Sequence, residues 1–168
     1  LFRSFTTPQL TSVFNAHFSM IQLNPDVIKD CWIKTSKRSS SIKKAFGMLE
    51  HEEPETNASF MNLPITIQAF FKELIFELDC DSVKIRQRCE QLGARHVDFS
   101  ERGFHSNFWD IFQVCTIEVI AECNLGLNED QHRSYELAWI HLLSSVVKSM
   151  RNGYTRRRTH LERPKSNT

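Results

Sequence analysis

Seven histidines and five cysteines are the side chains in this sequence best suited to hold a metal or to act as nucleophiles. His96 has the most suggestive setting. It closes the stretch Leu92-Gly93-Ala94-Arg95-His96-Val97, and with Ile85, Cys89 and Leu92 it falls at helical spacing on one apolar face. A histidine at the end of such a stripe points into the interior. Two explanations stand open for it: a core histidine bonded to a backbone carbonyl, or a metal ligand. Most metal sites built from side chains gather several ligands, and His17, His51, His132 and His141 show no such clustering. The cysteines (Cys31, Cys80, Cys89, Cys115 and Cys123) are odd in number, contain no CxxC pair and mostly sit on apolar stripes. They predict free thiols in a reduced, cytoplasmic chain rather than a disulfide framework.

The elements that would carry His96 read as helices throughout. Asn24, Pro25 and Asp26 suit a helix start, with Val27, Ile28, Cys31 and Trp32 on its buried stripe. The polar run Lys34–Ser41 predicts a break. A second helix is expected from about Ser41 to Glu52, with Ile42, Phe46 and Leu49 inward, stopped by Pro54. After a turn ending in Phe60, Leu63-Pro64 restarts a helix with Ile67, Phe70, Phe71, Leu74, Ile75 and Leu78 on its apolar face. Asp81 or Ser82 is the expected cap of the His96 helix, and 98–103 reads as a polar loop. Phe104, Phe108, Ile111, Phe112, Cys115, Val119 and Ile120 form the longest stripe. The last helix begins near 128–130, carries Leu137, Trp139, Leu143, Val146, Val147 and Met150, and is expected to end at Gly153. With no sustained period-two alternation, the fold class is all-α.

At 168 residues the chain is large enough for one domain with a real core. A net charge of +1 gives no reason to expect nucleic-acid binding or disorder. Thirteen phenylalanines against two tyrosines point to a dry, aromatic interior or pocket. No stretch reaches the roughly 18 apolar residues that cross a bilayer. The expected organisation is an N-terminal extension over 1–22 (with Phe14 and Phe18), a domain over 23–154, and a basic tail over 155–168. The tail's arginines (156–158 and 163) and Lys165 read as a solvated end, with contact to an anionic membrane as the alternative.

Four segments, in order, resemble the globin family, most of all the neuroglobin-like and nematode globins. Pro25-Asp26-Val27-Ile28-Lys29-Asp30-Cys31-Trp32 looks like an opening helix with its tryptophan. Pro54-Glu55-Thr56 followed by Phe60 is similar to the turn in which a phenylalanine stacks on haem. Leu92-Gly93-Ala94-Arg95-His96 resembles the proximal signature, and Ala138-Trp139 through Met150-Arg151-Asn152-Gly153-Tyr154 the final helix. The likeness covers about 23–154.

The resemblance implies a globin fold around haem b, with His96 as the proximal iron ligand and Phe60 flat against the porphyrin. Phe46 and Phe71 (or Phe70) would line the gas-binding face, and Leu92, Phe104 and Phe108 the proximal side and rear. Arg95, or His105, would meet a propionate. The opposite face departs from the family pattern: Thr66, Ile67 and Gln68 are the candidate distal residues, and none is a histidine. Phe46 stands where some nematode globins have a tyrosine. The connector between Phe60 and the next helix is shortened. The implied function is reversible binding of a diatomic gas, or haem redox or sensing chemistry with a redox partner. The alternative is a globin-like interaction module without haem. A dioxygenase or peroxidase activity would need a reductase or a distal acid–base group, and neither is visible.

Overall fold

Asp26 complements the positive end of the first helix, α1 (Asp26–Arg38), and Lys37 and Arg38 its negative end. The break expected in the run Lys34–Ser41 falls late in it, at Ser39, whose extended backbone (φ −143°, ψ 111°) separates α1 from the next helix. Thr35 donates its hydroxyl to the Cys31 carbonyl (2.6 Å) and Ser36 to that of Ile33 (2.8 Å), so both are buried inside a continuous helix with their polar atoms satisfied. The computed structural model describes residues 8–9, 11–13, 26–124 and 126–162. The capping role read for Asn24 and Pro25, the aromatics Phe14 and Phe18, and the basic residues Arg163 and Lys165 lie outside them. From the N-terminal stretch, the Thr11 hydroxyl donates to the Asp79 carbonyl (3.0 Å) and Val13 packs on the core.

The second helix is much shorter than its pattern suggests. α2 (Ser40–Ala45) stops before Phe46, and Gly47 turns the chain at φ +71°. That turn buries Met48 and leaves Leu49, expected to face inward, 61% exposed. The Lys43 ammonium donates to the carbonyls of Glu50 (3.1 Å) and Glu52 (2.9 Å), tying the following loop back onto α2.

A single 3₁₀ turn, Pro54–Thr56, then leads into α3 (Ala58–Lys72). The helix starts five residues ahead of Leu63 because the Asn57 side chain caps it, accepting from the Phe60 amide (2.9 Å). The connector expected after Phe60 is therefore absent, because Phe60 itself sits inside the first turn of α3. Pro64 lies within that helix and cannot donate to the Phe60 carbonyl four residues back. The indole N–H of Trp32 takes its place at 3.1 Å. α3 ends in a π turn, Glu73–Glu77, followed by Asp79 (φ +50°) and Cys80 (φ +54°).

Of the two candidate caps for the His96 helix, Asp81 is the one used: its carboxylate accepts from the Val83 and Lys84 amides at 2.9 Å each. This opens α4 (Ser82–Arg95), which runs into a 3₁₀ segment, His96–Arg102, where a polar loop was expected. Gly103 ends it at φ +87°. α5 (Phe108–Glu122) leaves Phe104 in the preceding turn. α6 (Glu129–Glu162) passes straight through Gly153, which is not a cap, and includes Arg156, Arg157 and Arg158. At 34 residues it is about 51 Å long.

Every regular element among the described residues is helical, and the fold is all-α. α4 lies along α6, α1 crosses α5, and α5 also meets α6. The α4–α6 contact is as close as backbones allow. A Cβ on Gly93 would stand 1.9 Å from the Met150 carbonyl oxygen, and one on Gly153 would stand 1.9 Å from that of Glu90. The main core runs from Val27 and Cys31 through Leu74, Ile75 and Cys89 to Tyr135, Trp139 and Leu142. A smaller aromatic cluster joins Trp32, Ile42, Met48, Phe60 and Phe108. Ile67, Phe104 and Phe112 touch both.

Candidate functional site

His96 stands at the junction of α4 and the 3₁₀ segment. Its Nδ1 lies 2.8 Å from the Leu92 carbonyl oxygen, one turn back. That oxygen only accepts, so Nδ1 carries the ring proton, and in the neutral ring Nε2 keeps its lone pair. Burial holds the ring below the ordinary histidine range, the bond to Leu92 opposing this, so the neutral form prevails at pH 7. The two explanations for this residue thus share one geometry. The carbonyl bond that satisfies a core histidine is also the bond that orients a ligating one.

Aromatic rings surround the imidazole. Phe104 lies 5.1 Å away between centroids, Trp109 5.3 Å and Phe99 5.5 Å. Phe104 continues to Phe108 (5.5 Å), which belongs to the cluster containing Phe60. Trp109 escaped the sequence reading because it lies off the Phe108–Phe112–Cys115 stripe; α5 buries a second face as well, where Trp109 lies with Thr116. Tyr154 completes the surround, packing on Phe104 (5.9 Å) and Trp109 (5.8 Å) and sharing a 3.0 Å hydrogen bond with the Ser100 hydroxyl.

The helices α3 and α4 make no extensive contact with each other among the described residues. They are tied at one end, where Arg88 Nε meets Glu73 Oε1 at 2.6 Å and the guanidinium lies over the Phe70 ring. Of the three distal candidates on α3, Thr66 is exposed, because α3 presents Ile67 and Phe71 inward instead. Gln68 lines a surface recess of about 230 Å³ with Lys29, Met61, Pro64 and Ile65, on the α1 side. Ile67 packs against both clusters. Phe71 is buried with its ring on Trp139 (5.1 Å).

Phe60 is fully buried and stacked on Trp32, centroids 4.8 Å apart at 23°, with Phe46 edge-on to both. Trp32 thus covers one face of the ring expected to lie on a porphyrin. Arg95 and His105 are exposed, and His105 sets its ring against Phe108 (5.8 Å). Leu92 is half-buried beside its hydrogen bond to His96.

Among the described residues no three His, Cys, Asp or Glu side chains converge on a point that would hold a bare ion. A haem iron asks for less, since the porphyrin supplies four nitrogens and the protein one axial donor. His96 fits that demand in tautomer, charge state and apolar surroundings, and Ile67 and Phe71 are apolar residues packed in the core. Phe60 departs from it, one face being covered. No helix among the described residues is long and apolar enough to cross a membrane.

Comparison with known proteins agrees with this architecture. The chain is 26% identical over 145 residues to the globin-related protein glb-13 of Caenorhabditis elegans, an alignment covering 76% of this chain and 50% of that protein. It therefore spans about half the length of that relative. No solved structure matches. The globin family model matches residues 29–150, well over half of the chain, and reaches from α1 through His96 to Met150 of α6. The chain belongs to the globin family.

Proposed function

We propose that the protein binds haem b through Nε2 of His96 and works in gas sensing or haem redox chemistry rather than bulk oxygen storage. The observation that carries this is the 2.8 Å contact between His96 Nδ1 and the Leu92 carbonyl, which leaves a neutral imidazole with Nε2 as its donor atom. Bound haem supplies an iron that can change oxidation state and take a diatomic gas. The chain's own residues do the rest. Leu92 fixes the tautomer, Phe104 and Phe108 close the proximal side and rear, and Ile67 and Phe71 form a wall that excludes water and offers no hydrogen-bond donor. Phe46 adds none. No histidine occurs between 52 and 95, so α3 has no second axial imidazole to offer. Arg95, exposed at the edge, is the propionate candidate. A diatomic gas and an electron-transfer partner are the implied ligands, in the cytoplasm.

A second reading, a globin-like interaction module without haem, draws support from Phe60, which is committed to Trp32, and from the three rings packed on His96. Titrating the purified chain with haemin and recording ferric, ferrous and carbonmonoxy spectra separates the two. Stoichiometric uptake with a strong Soret band, greatly weakened in His96→Ala, is the expected result. An equally strong band in that variant would remove His96 from the site, and no uptake would favour the haem-free module.

A further inference from the structure

We propose that Arg157 is a positioning residue for His96, acting from the far end of α6 on the two chain segments that flank the ligand; this rests on the haem reading of His96. Its guanidinium reaches across the helix pair and donates to the Ala94 carbonyl (2.9 Å), two residues before His96. The same group grips both carboxylate oxygens of Asp98, two residues after it, at 3.0 and 2.6 Å. One planar group thus holds both sides of the peptide turn that carries the imidazole.

The fold explains why residue 157 is the one that reaches. Met150, Gly153, Tyr154 and Arg157 recur at helical spacing on the α6 face turned toward α4. The reciprocal backbone approach of Gly93 to Met150 and Gly153 to Glu90 sets that face at minimal distance. Arg157 lies one turn beyond Gly153. The α4 helix ends at Arg95, so the Ala94 carbonyl belongs to its last turn, the negative end where a guanidinium is favoured. The neighbouring arginines do something else. Arg156 makes a single exposed contact to Glu90 (3.2 Å), and Arg158 pairs within its own helix with Glu162 (2.8 Å). Only the fork of an arginine can hold a carboxylate through two nitrogens and a carbonyl as well.

With Leu92 bonded to Nδ1 from within α4, and Ala94 and Asp98 drawn onto α6, the position of His96 relative to its own backbone bond is set from both sides. Releasing Arg157 frees the start of the 3₁₀ segment and lets the imidazole tilt.

The test uses the full 168-residue chain and four variants: Arg157→Gln, Arg157→Lys, Asp98→Asn and Arg156→Gln. In haem-free protein, amide hydrogen exchange over residues 94–99 is compared at matched global stability. In ferrous haem-loaded protein, the iron–histidine stretching band is recorded by resonance Raman scattering. Arg157→Gln is expected to speed local exchange about tenfold and to shift or broaden the band. Asp98→Asn acts in the same direction, Arg157→Lys does not restore either signal, and Arg156→Gln leaves both unchanged. An unmoved band in Arg157→Gln overturns the proposal, as does an equal effect of Arg156→Gln. If the unsubstituted chain takes up no haem, the functional reading fails separately, and the exchange result alone judges the clamp: unchanged exchange overturns it.

Discussion

The contact between Trp32 and the Phe60 carbonyl yields the sharpest stability prediction. Pro64 removes the amide that would bond that carbonyl inside α3, and the indole N–H replaces it at 3.1 Å in a buried setting. Trp32→Phe keeps a ring for Phe60 to stack on but leaves the carbonyl without a donor, at a cost of about 1–3 kcal/mol. The smaller ring adds about 1 kcal/mol of lost packing. Putting the same substitution into a Pro64→Ala background changes the outcome, because residue 64 now has its own amide to offer the Phe60 carbonyl. Only the packing loss of about 1 kcal/mol should remain. The four proteins form a double-mutant cycle, read by urea unfolding followed by far-ultraviolet circular dichroism, which does not depend on the tryptophan being replaced. A coupling well above the ~0.5 kcal/mol scatter of independent sites is expected. Equal costs of Trp32→Phe in the two backgrounds would refute the idea that the indole stands in for the missing amide.

Gly93→Ala should destabilise the protein by about 3 kcal/mol or more, because the new methyl meets the Met150 backbone, which cannot move aside as a side chain would; a wild-type urea midpoint would contradict the crossing geometry. Burial pushes the thiols of Cys31 and Cys89 up to about 12, so alkylation of native protein followed by mass mapping should find both protected and Cys123, half-buried at the end of α5, modified first. Modification of Cys31 or Cys89 ahead of Cys123 would speak against this packing. His96 has its folded pKa lowered, so the unfolded chain binds the proton first as pH falls through about 6.5. Stability of the haem-free protein should be fully present above that pH and decline below it until the folded ring also protonates. His96→Leu should show a shallower decline in urea midpoint, and an identical slope would mean that His96 is not the group responsible.

Features that depend on a few adjacent residues were legible in the sequence. The cap of the His96 helix is one, narrowed by sequence to Asp81 or Ser82, because such a side chain bonds amides only two and three residues ahead of it. The apolar stripes of α3, α4 and α5 are others, and with them the interior placement of His96. The order of Trp32, Pro54–Phe60, His96 and Trp139 carried the family resemblance, which the family match over 29–150 supports. The likeness of those segments led to the globin family, and the spacing of apolar residues to the all-α fold.

The remainder was decided by residues distant in sequence. Thr35 and Ser36 belong to the polar run that breaks the chain at Ser39, yet both lie before the break and are buried where α1 meets α5. Pro64 looks like a helix start, yet sits mid-helix because Trp32, on another helix, takes the orphaned carbonyl. Gly153 looks like a terminator and is a contact point, since Gly93 lies opposite it and two helices can approach that closely only where both lack a Cβ. Arg157 looks like part of a solvated tail, and Asp98, 59 positions earlier, turns it into a clamp beside His96. In each case the residue itself offers a plain local chemistry: a hydroxyl, a missing amide, a missing side chain, a charge. What only the tertiary structure supplies is the neighbouring helix that buries, satisfies or admits it, and a contact on another helix leaves no periodic trace in the sequence.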